Sequence, residues 1–150
     1  MLALGGTRLT VDGCEINLSE TLDYKGMMLS DVPNMALAIG YTNASWTLKC
    51  DLTCEYVCRL LNHMEQHGYR QCTPRNRDPS LATRPFVDLQ AGYVLRSVDQ
   101  FPKQGLKAPW RLYQNYLRDI IMLRYGSLED DAIEFSGAAP AVERMPSLAA

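Results

Sequence analysis

The sequence predicts an α/β fold, and three observations along its 150 residues support that prediction. The apolar run from Met35 to Ile39 is typical of a strand buried on both faces, and such strands belong to parallel sheets covered by helices. A helical pattern runs from about Trp46 to His67. A second one begins at Pro109 and ends at Gly126. One buried strand and two long helices are therefore expected.

Shorter elements are predicted around these three. Asp12-Gly13 separates the segments Thr7 to Val11 and Cys14 to Leu18, and it is a two-residue signal for a type I′ hairpin with both central residues at positive φ. Prolines and a charged tract punctuate residues 69–108, which predicts an extended connection along the surface. A short strand is expected from Ala132 to Phe135, and the tail from Gly137 is expected to fray.

Charge and hydropathy exclude several classes of protein. Fifteen basic and 17 acidic residues are scattered through both halves and give a net charge of −2, so no patch for nucleic acid or anionic lipid is predicted. No apolar stretch approaches the roughly 20 residues of a transmembrane segment. The five cysteines lack the spacing of a disulfide scaffold, which indicates free thiols. We expect a cytoplasmic protein.

Three cysteines of the first helix raise the alternative of a metal protein. Cys50, Cys54 and Cys58 recur every four residues. Successive members step by about 40° around a helix and about 6 Å along it, so three thiolates on one straight helix cannot converge on one tetrahedral ion. They share an apolar arc with Tyr56 and Leu61, where reduced cysteine packs as a small hydrophobe. We therefore predict that these thiols are buried, and a tightly held zinc or iron would overturn that prediction.

The two histidines give no catalytic constellation. His63 and His67 have the four-residue spacing of a zinc-binding helix, but no glutamate lies next to His63 as that signature requires. Histidines near a helix C-terminus are also favoured by the helix dipole. No triad of nucleophile, histidine and acid can be built from this one helical turn. Neither a catalytic nor a metal-binding residue is predicted.

The strongest signal of a site is the junction between the predicted strand and the first helix. In open α/β sheets, ligands bind beyond the carboxyl ends of the strands, where a helix N-terminus offers free amides and a partial positive charge. Gly40 permits close approach of the backbone, and Thr42, Asn43 and Ser45 are candidate N-caps or hydrogen-bond donors. Ordinary helix capping without a ligand explains the same residues equally well.

Long strings of the sequence carry a family resemblance. They include YKGMMLS at 24–30, GYTNASWTLK at 40–49 and PWRLYQNYLRD at 109–119. These strings resemble the C-terminal region of bacterial FAD-containing monooxygenases of the Baeyer–Villiger type, which include ethionamide-activating enzymes. The resemblance extends from about Leu9 to Phe135. It implies the C-terminal portion of a flavoprotein with two dinucleotide-binding domains.

The resemblance also implies cofactors, substrates and a site. Family members use FAD and NADPH to oxygenate small-molecule ketones or sulfur compounds. By this resemblance, residues 1–67 are the end of the FAD-binding domain, 68–136 are a C-terminal extension and 137–150 are a tail. The residues implied to line the isoalloxazine side of FAD are Gly40, Tyr41, Thr42, Asn43, Ala44 and Ser45.

One departure from the family limits what the chain is expected to do alone. No G-x-G-x-x-G fingerprint occurs in the 150 residues, so the sites for the FAD pyrophosphate and for NADPH, together with the catalytic residues, are expected upstream. We expect an incomplete fold that is inactive and free of cofactor by itself. A complementary N-terminal subunit is the expected partner. The alternative is a non-catalytic binding or interaction module.

Overall fold

The computed structural model describes residues 3–86 and 98–137, and these combine helices with short strands as predicted. The strands are β1 (Thr10–Val11), β2 (Cys14–Glu15), β3 (Asp23–Tyr24), β4 (Met28–Leu29), β5 (Gln71–Pro74), β6 (Thr83–Pro85), β7 (Lys103–Gly105) and β8 (Ile133–Ser136). The helices are α1 (Trp46–His67) and α2 (Tyr116–Asp119), and α2 continues into a π-helical segment (Ile120–Tyr125). Single 3-10 turns lie at Ala3–Gly6, Leu18–Glu20 and Val98–Gln100.

The strands form four antiparallel pairs rather than one parallel sheet. The pairs are β1 with β2, β3 with β4, β5 with β8, and β6 with β7. One parallel bridge, between Leu22 and Lys103, joins the approach to β3 to β7. Within residues 3–86 and 98–137, the helix-covered parallel sheet expected from the sequence is therefore not formed.

The predicted strand from Met35 to Ile39 is wrong for this structure. The segment belongs to no strand pair, and its one backbone hydrogen bond runs from Leu37 N to Met27 O at 2.7 Å. Burial alternates along it, with Ala36 and Ala38 exposed and their neighbours half-buried. A strand buried on both faces needs strands at its edges and layers above and below, and the described residues supply neither.

Helix α1 is confirmed at both ends. Its 22 residues begin at Trp46 and end at His67. Gly68 takes the left-handed conformation (φ 69°) and donates its N–H to the carbonyls of Met64 and Glu65, which closes the last turn. The helix therefore stops where the glycine predicts.

The buried face of α1 differs from the predicted arc. Cys54 and Cys58 are exposed and Cys50 is half-buried, so the prediction of three buried thiols is wrong. Leu61 of the same arc exposes 58% of its surface. The residues that enter the core are Lys49, Leu52, Thr53, Tyr56, Leu60 and Met64. The core thus meets one edge of the apolar arc and leaves the cysteine side uncovered.

The N-terminal hairpin is confirmed, and the structure contains a second hairpin that the sequence did not predict. Asp12 (φ 50°) and Gly13 (φ 83°) connect β1 to β2 with the two positive φ values expected of a type I′ turn. Lys25 (φ 54°) and Gly26 (φ 76°) also have positive φ, in the three-residue connection from β3 to β4. This second hairpin is buried, and it forms the centre of the fold.

The second predicted helix is much shorter than the sequence indicates. Residues 109–115 are not helical because tertiary partners use their backbone groups. Pro109 O accepts from Lys25 N at 2.9 Å, and Leu112 N donates to the Gln104 side chain at 3.1 Å. The helix begins only after Asn115, and the π-helical segment ends before Gly126 as predicted.

The stretch after α1 also differs from the predicted surface connection. Three of the four residues of β5 are buried, and β5 pairs with β8, which lies one residue beyond the predicted Ala132–Phe135 strand. Residues 87–97 of that connection and 138–150 of the predicted frayed tail lie outside the described residues.

One hydrophobic core unites segments from before and after residue 68. Tyr24 and Trp110 meet edge to face with ring centroids 5.6 Å apart. The further buried side chains of this core include Met27, Met28, Leu52, Tyr56, Leu60, Cys72, Leu123 and Ile133. Among the described helices, none is both long enough and apolar enough to cross a membrane.

Candidate functional site

The six residues predicted to form the site make one continuous loop before α1. Gly40 and Tyr41 are buried, whereas residues 42–45 are exposed. The Trp46 side chain lies so close to Gly40 that a β-carbon at this position would overlap the indole ring. A glycine is therefore needed at position 40 because the Trp46 side chain packs directly against its backbone.

The N-terminus of α1 points out of this loop without a side-chain cap. Ser45 occupies the N-cap position (φ −61°, ψ 131°), but its side chain makes no capping hydrogen bond. Its Oγ lies 2.8 Å from Thr47 Oγ1 instead. Thr42 and Asn43 do not cap the helix either, since their hydrogen bonds go to Gln114. The partial positive charge of a 22-residue helix is thus presented beside an exposed loop.

A single residue from the C-terminal half holds the exposed part of the loop. Gln114 accepts from Thr42 N through its side-chain oxygen and from Asn43 Nδ2 through its backbone carbonyl, both at 3.1 Å. Gln114 itself has a positive φ of 51°. The amide group of Asn43 therefore has a structural partner in addition to any ligand it could bind.

The buried part of the loop is anchored by an ion pair. Tyr41 donates its hydroxyl to Asp119 Oδ2 at 2.7 Å, and the ammonium group of Lys49 donates to the same oxygen at 3.0 Å. The side chains of Lys49 and Asp119 expose only 2% and 1% of their surface. Burial, and then the bond to Asp119, raise the pKa of Tyr41 above its ordinary range, so the phenol stays protonated and remains a donor.

A second buried carboxyl group lies near this pair. Asp23 is almost fully enclosed and accepts a hydrogen bond from Gly26 N at 2.9 Å. Burial raises the pKa of Asp23 to about 7, although the Gly26 bond and the charge of Lys49 act in the opposite direction. Near neutral pH this group can exist in either protonation state.

The turn between β3 and β4 is fixed by a third set of polar contacts. The ammonium group of Lys25 lies 3.0 Å from Asp130 Oδ2 and donates to Ser127 O at 3.2 Å and to Tyr56 Oη at 3.3 Å. Tyr24 also donates its hydroxyl to Asp130, at 2.9 Å. These contacts connect the central hairpin to the residues that follow the π-helical segment.

No metal centre forms among residues 3–86 and 98–137, where no three histidine, cysteine or acidic side chains converge. Both histidines of α1 have local partners. His63 Nε2 lies 3.0 Å from Glu129 Oε1, and His67 Nδ1 lies 2.8 Å from His63 O. Both contacts lie in the last two turns of α1.

Sequence reasoning missed the residues that hold the loop. Gln114 and Asp119 fall within the second predicted helix, and neither they nor Lys49 are among the predicted site residues. One signal was present, because Lys49 is three residues before Leu52 and seven before Tyr56 and so shares their helix face. A lysine on a buried face needs a buried partner, which the sequence does not identify.

Comparison with curated proteins provides the relatives of this chain. The FAD-containing monooxygenase EthA of Mycobacterium tuberculosis is 51% identical over 132 residues, which are 88% of this chain and 27% of that protein. EthA of Mycolicibacterium smegmatis is 46% identical over 147 residues, covering 98% of this chain and 30% of that protein. The "Probable FAD-binding monooxygenase AlmA" of Acinetobacter baylyi is 42% identical over 142 residues, which are 94% of this chain and 28% of that protein.

The matched part of the relatives is their C-terminal region, and the chain spans less than a third of their length. No family model matches the chain. No solved structure matches it either.

Proposed function

Because the chain is homologous to the C-terminal region of EthA-like FAD-containing monooxygenases, we propose that it is the C-terminal part of an NADPH- and FAD-dependent monooxygenase. The proposed reaction inserts oxygen into a ketone or oxidises a sulfur compound. Residues 1–67 would complete the FAD-binding domain, and 68–136 would be its C-terminal extension. The proposed location is the cytoplasm.

The homology carries the proposal, and the structural observation that supports a flavin site is the way the loop from Gly40 to Ser45 is held. Its buried end is fixed by Tyr41 to Asp119, and its exposed end is fixed to Gln114. The loop leads directly into the uncapped N-terminus of α1. A rigid loop beside a free helix terminus can orient a planar, electron-rich group.

The residues of this loop fit one side of a flavin. When FAD is bound, it supplies the redox chemistry that activates oxygen. The uncapped first-turn amides of α1 offer hydrogen bonds and partial positive charge to the electron-rich edge of the ring. Residues 42–45 are exposed, which leaves room for close approach. Asn43 and Ser45 can add side-chain hydrogen bonds.

The same residues offer too few contacts to retain FAD alone. Most of the affinity in this architecture is expected from the pyrophosphate on a glycine-rich turn, and the 150 residues contain no such fingerprint. The catalytic residues and the NADPH site are proposed to lie in the N-terminal part of the enzyme. The isolated chain is therefore proposed to hold no cofactor and to act with a complementary N-terminal part.

The proposal can be tested by complementation. The chain is co-expressed with the part of the M. tuberculosis relative that precedes its matched region, and flavin retention is measured after purification. Replacing Ser45 with Trp is expected to reduce retention at least about tenfold, since the bulky ring would occupy the flavin side of the loop. Gln66→Trp, at the exposed far end of α1, is the matched control and should retain flavin like the wild type.

Equal flavin retention in these two variants would contradict the placement of the flavin at this loop. A wild-type chain that never forms a complex with the N-terminal part would instead favour the competing function, a non-catalytic interaction module.

A further inference from the structure

We propose that one uncharged face of α1 is the docking surface for the nucleotide-binding part of the monooxygenase, an inference that depends on the proposed function. We name this face the cysteine stripe. Its residues are Trp46, Cys50, Cys54, Val57, Cys58 and Leu61.

The stripe is continuous and largely uncovered. Its residues follow one another at intervals of one to four and lie within an arc of about 120°, over about 22 Å of helix. Trp46 and Leu61 expose 60% and 58% of their surface at its two ends, Cys54 and Cys58 are exposed between them, and Cys50 is half-buried. No charged residue lies in this arc between Trp46 and Leu61.

The other two faces of α1 already have partners. Leu52, Tyr56 and Leu60 enter the core. On the next face, Arg59 donates to Leu123 O at 2.6 Å and to Gly126 O at 2.9 Å. The cysteine stripe is the remaining face. Its half-buried Val57 packs against the core, but the described residues leave Trp46, Cys54, Cys58 and Leu61 exposed.

An uncovered apolar face of this length indicates an interface. Charged residues make up 21% of the chain, yet this arc carries none. Continuous apolar surface on a folded protein usually marks a binding surface. The sequence pattern predicts that the three thiols are buried, and the structure leaves two of them exposed. The predicted burial of the thiols and their exposure in this structure are consistent with each other if a partner covers the stripe.

The relatives indicate which partner covers it. The chain corresponds to 27% of the M. tuberculosis protein and 30% of the M. smegmatis protein, so most of each relative lies outside the matched region. Both relatives are named as FAD-containing monooxygenases. An uncharged stripe fits an apolar surface of such a part, because no buried charge would need a partner.

Thiol protection is the first arm of the test. The full chain is alkylated alone and in complex with the N-terminal part of the M. tuberculosis relative, and each cysteine is followed by mass spectrometry. Cys54 and Cys58 should react at least about tenfold more slowly in the complex. Cys14, exposed in the β1–β2 hairpin, should react at the same rate in both samples.

Matched charge variants are the second arm. Leu61→Glu places a charge in the stripe, whereas Asn62→Glu places the same charge on the exposed neighbouring position about 100° away. Leu61→Glu should weaken the complex at least about tenfold, because a carboxylate would be buried without a partner. Asn62→Glu should change the affinity of the complex less than about twofold. Both isolated variants should unfold at the wild-type temperature, since both side chains are exposed.

The outcomes separate the surface from the proposed function. If the wild-type complex forms and retains flavin while Cys54 stays as reactive as Cys14 and Leu61→Glu binds normally, the docking surface is wrong and the proposed function stands. If no complex forms, both fail. Protection of Cys54 and Cys58 in the chain alone, together with dimerisation, would assign the stripe to a second copy and overturn the proposal.

Discussion

The ammonium group of Lys49 and the carboxylate of Asp119 lie 3.0 Å apart, and neither side chain exposes more than 2% of its surface. The two residues are 70 positions apart in sequence. Their contact connects the first turn of α1 to α2, and Tyr41 joins it from the loop that precedes α1. A buried pair of this kind fixes geometry more than it adds stability, because both charges lose their hydration. Its role here is to hold the loop that precedes α1.

Removing one partner of the Lys49–Asp119 pair should strongly destabilise the fold. Asp119→Ala leaves the Lys49 ammonium buried without its carboxylate, and we expect a loss of about 3–5 kcal/mol in the free energy of unfolding. Tyr41→Phe removes only a hydrogen bond to a charged group and should cost about 1.5–3 kcal/mol. Adding Lys49→Met to Asp119→Ala should recover part of the loss. Urea unfolding measures the free energy of unfolding of each variant, including Lys49→Met alone. If the losses for Lys49→Met and Asp119→Ala simply add in the double variant, the two side chains are not coupled.

The stability of the chain should depend on the protonation of Asp23. Because burial raises its pKa from an ordinary 3.8 to about 7, the folded state binds this proton more tightly than the unfolded state. The stabilisation is present in full below about pH 3.8 and is lost as the pH rises to about 7. Its magnitude is on the order of 4 kcal/mol.

Asp23→Asn should remove this dependence, because the amide stays neutral and its oxygen can still accept from Gly26 N. Urea titrations from pH 4 to pH 8 would give the slope of the free energy of unfolding against pH for each protein. The wild type should show the steeper fall as the pH rises. Identical slopes would mean that Asp23 is ionised throughout this range.

The cysteines should differ in reactivity within the isolated chain. Cys54 and Cys58 are exposed, whereas Cys72 is buried in β5, and burial raises the pKa of the Cys72 thiol. Since the thiolate is the reactive form, Cys72 should be alkylated at least about tenfold more slowly than the other two. In denaturant the three rates should converge. Comparable rates for Cys72 and Cys54 before unfolding would mean that β5 is not packed as described.

Arg59 should contribute more to stability than the ion pair between Glu55 and Arg124. Arg59 satisfies two carbonyls at the end of the π-helical segment, at 2.6 and 2.9 Å, so Arg59→Lys should cost about 1.5–3 kcal/mol despite conserving the charge. Glu55 and Arg124 pair at 2.6 Å near the surface, and Glu55→Gln should cost less. Thermal unfolding of the two variants compares their losses of stability. A larger loss for Glu55→Gln than for Arg59→Lys would contradict this prediction.

Local signals in the sequence predicted the elements that depend on local physics. The Asp12-Gly13 turn and the stop of α1 at Gly68 both require positive φ, which these residues provide at low cost. Helix α1 itself has an apolar periodicity that holds over its whole length. The strand β8 was also predicted to within one residue.

The remaining elements depend on distant partners that a local pattern does not identify. The run from Met35 to Ile39 has the composition of an interior strand, but its pairing depends on neighbouring strands. Residues 109–115 have a helical pattern, yet their backbone bonds go to Lys25 and Gln104. Of the candidate site, the loop from Gly40 to Ser45 could be named from sequence. The side chains that hold it could not, because Gln114 and Asp119 reach it only through the fold.

The most direct test of the central claim is the visible absorbance spectrum of the purified chain, recorded alone and after co-expression with the N-terminal part of the M. tuberculosis relative. If the chain completes an FAD-dependent monooxygenase without holding the cofactor itself, it should be colourless alone and should not oxidise NADPH. The complex should show a flavin band and regain NADPH oxidation. A flavin band at one cofactor per chain in the isolated protein would contradict the account, because the 150 residues would then bind FAD without a glycine-rich fingerprint.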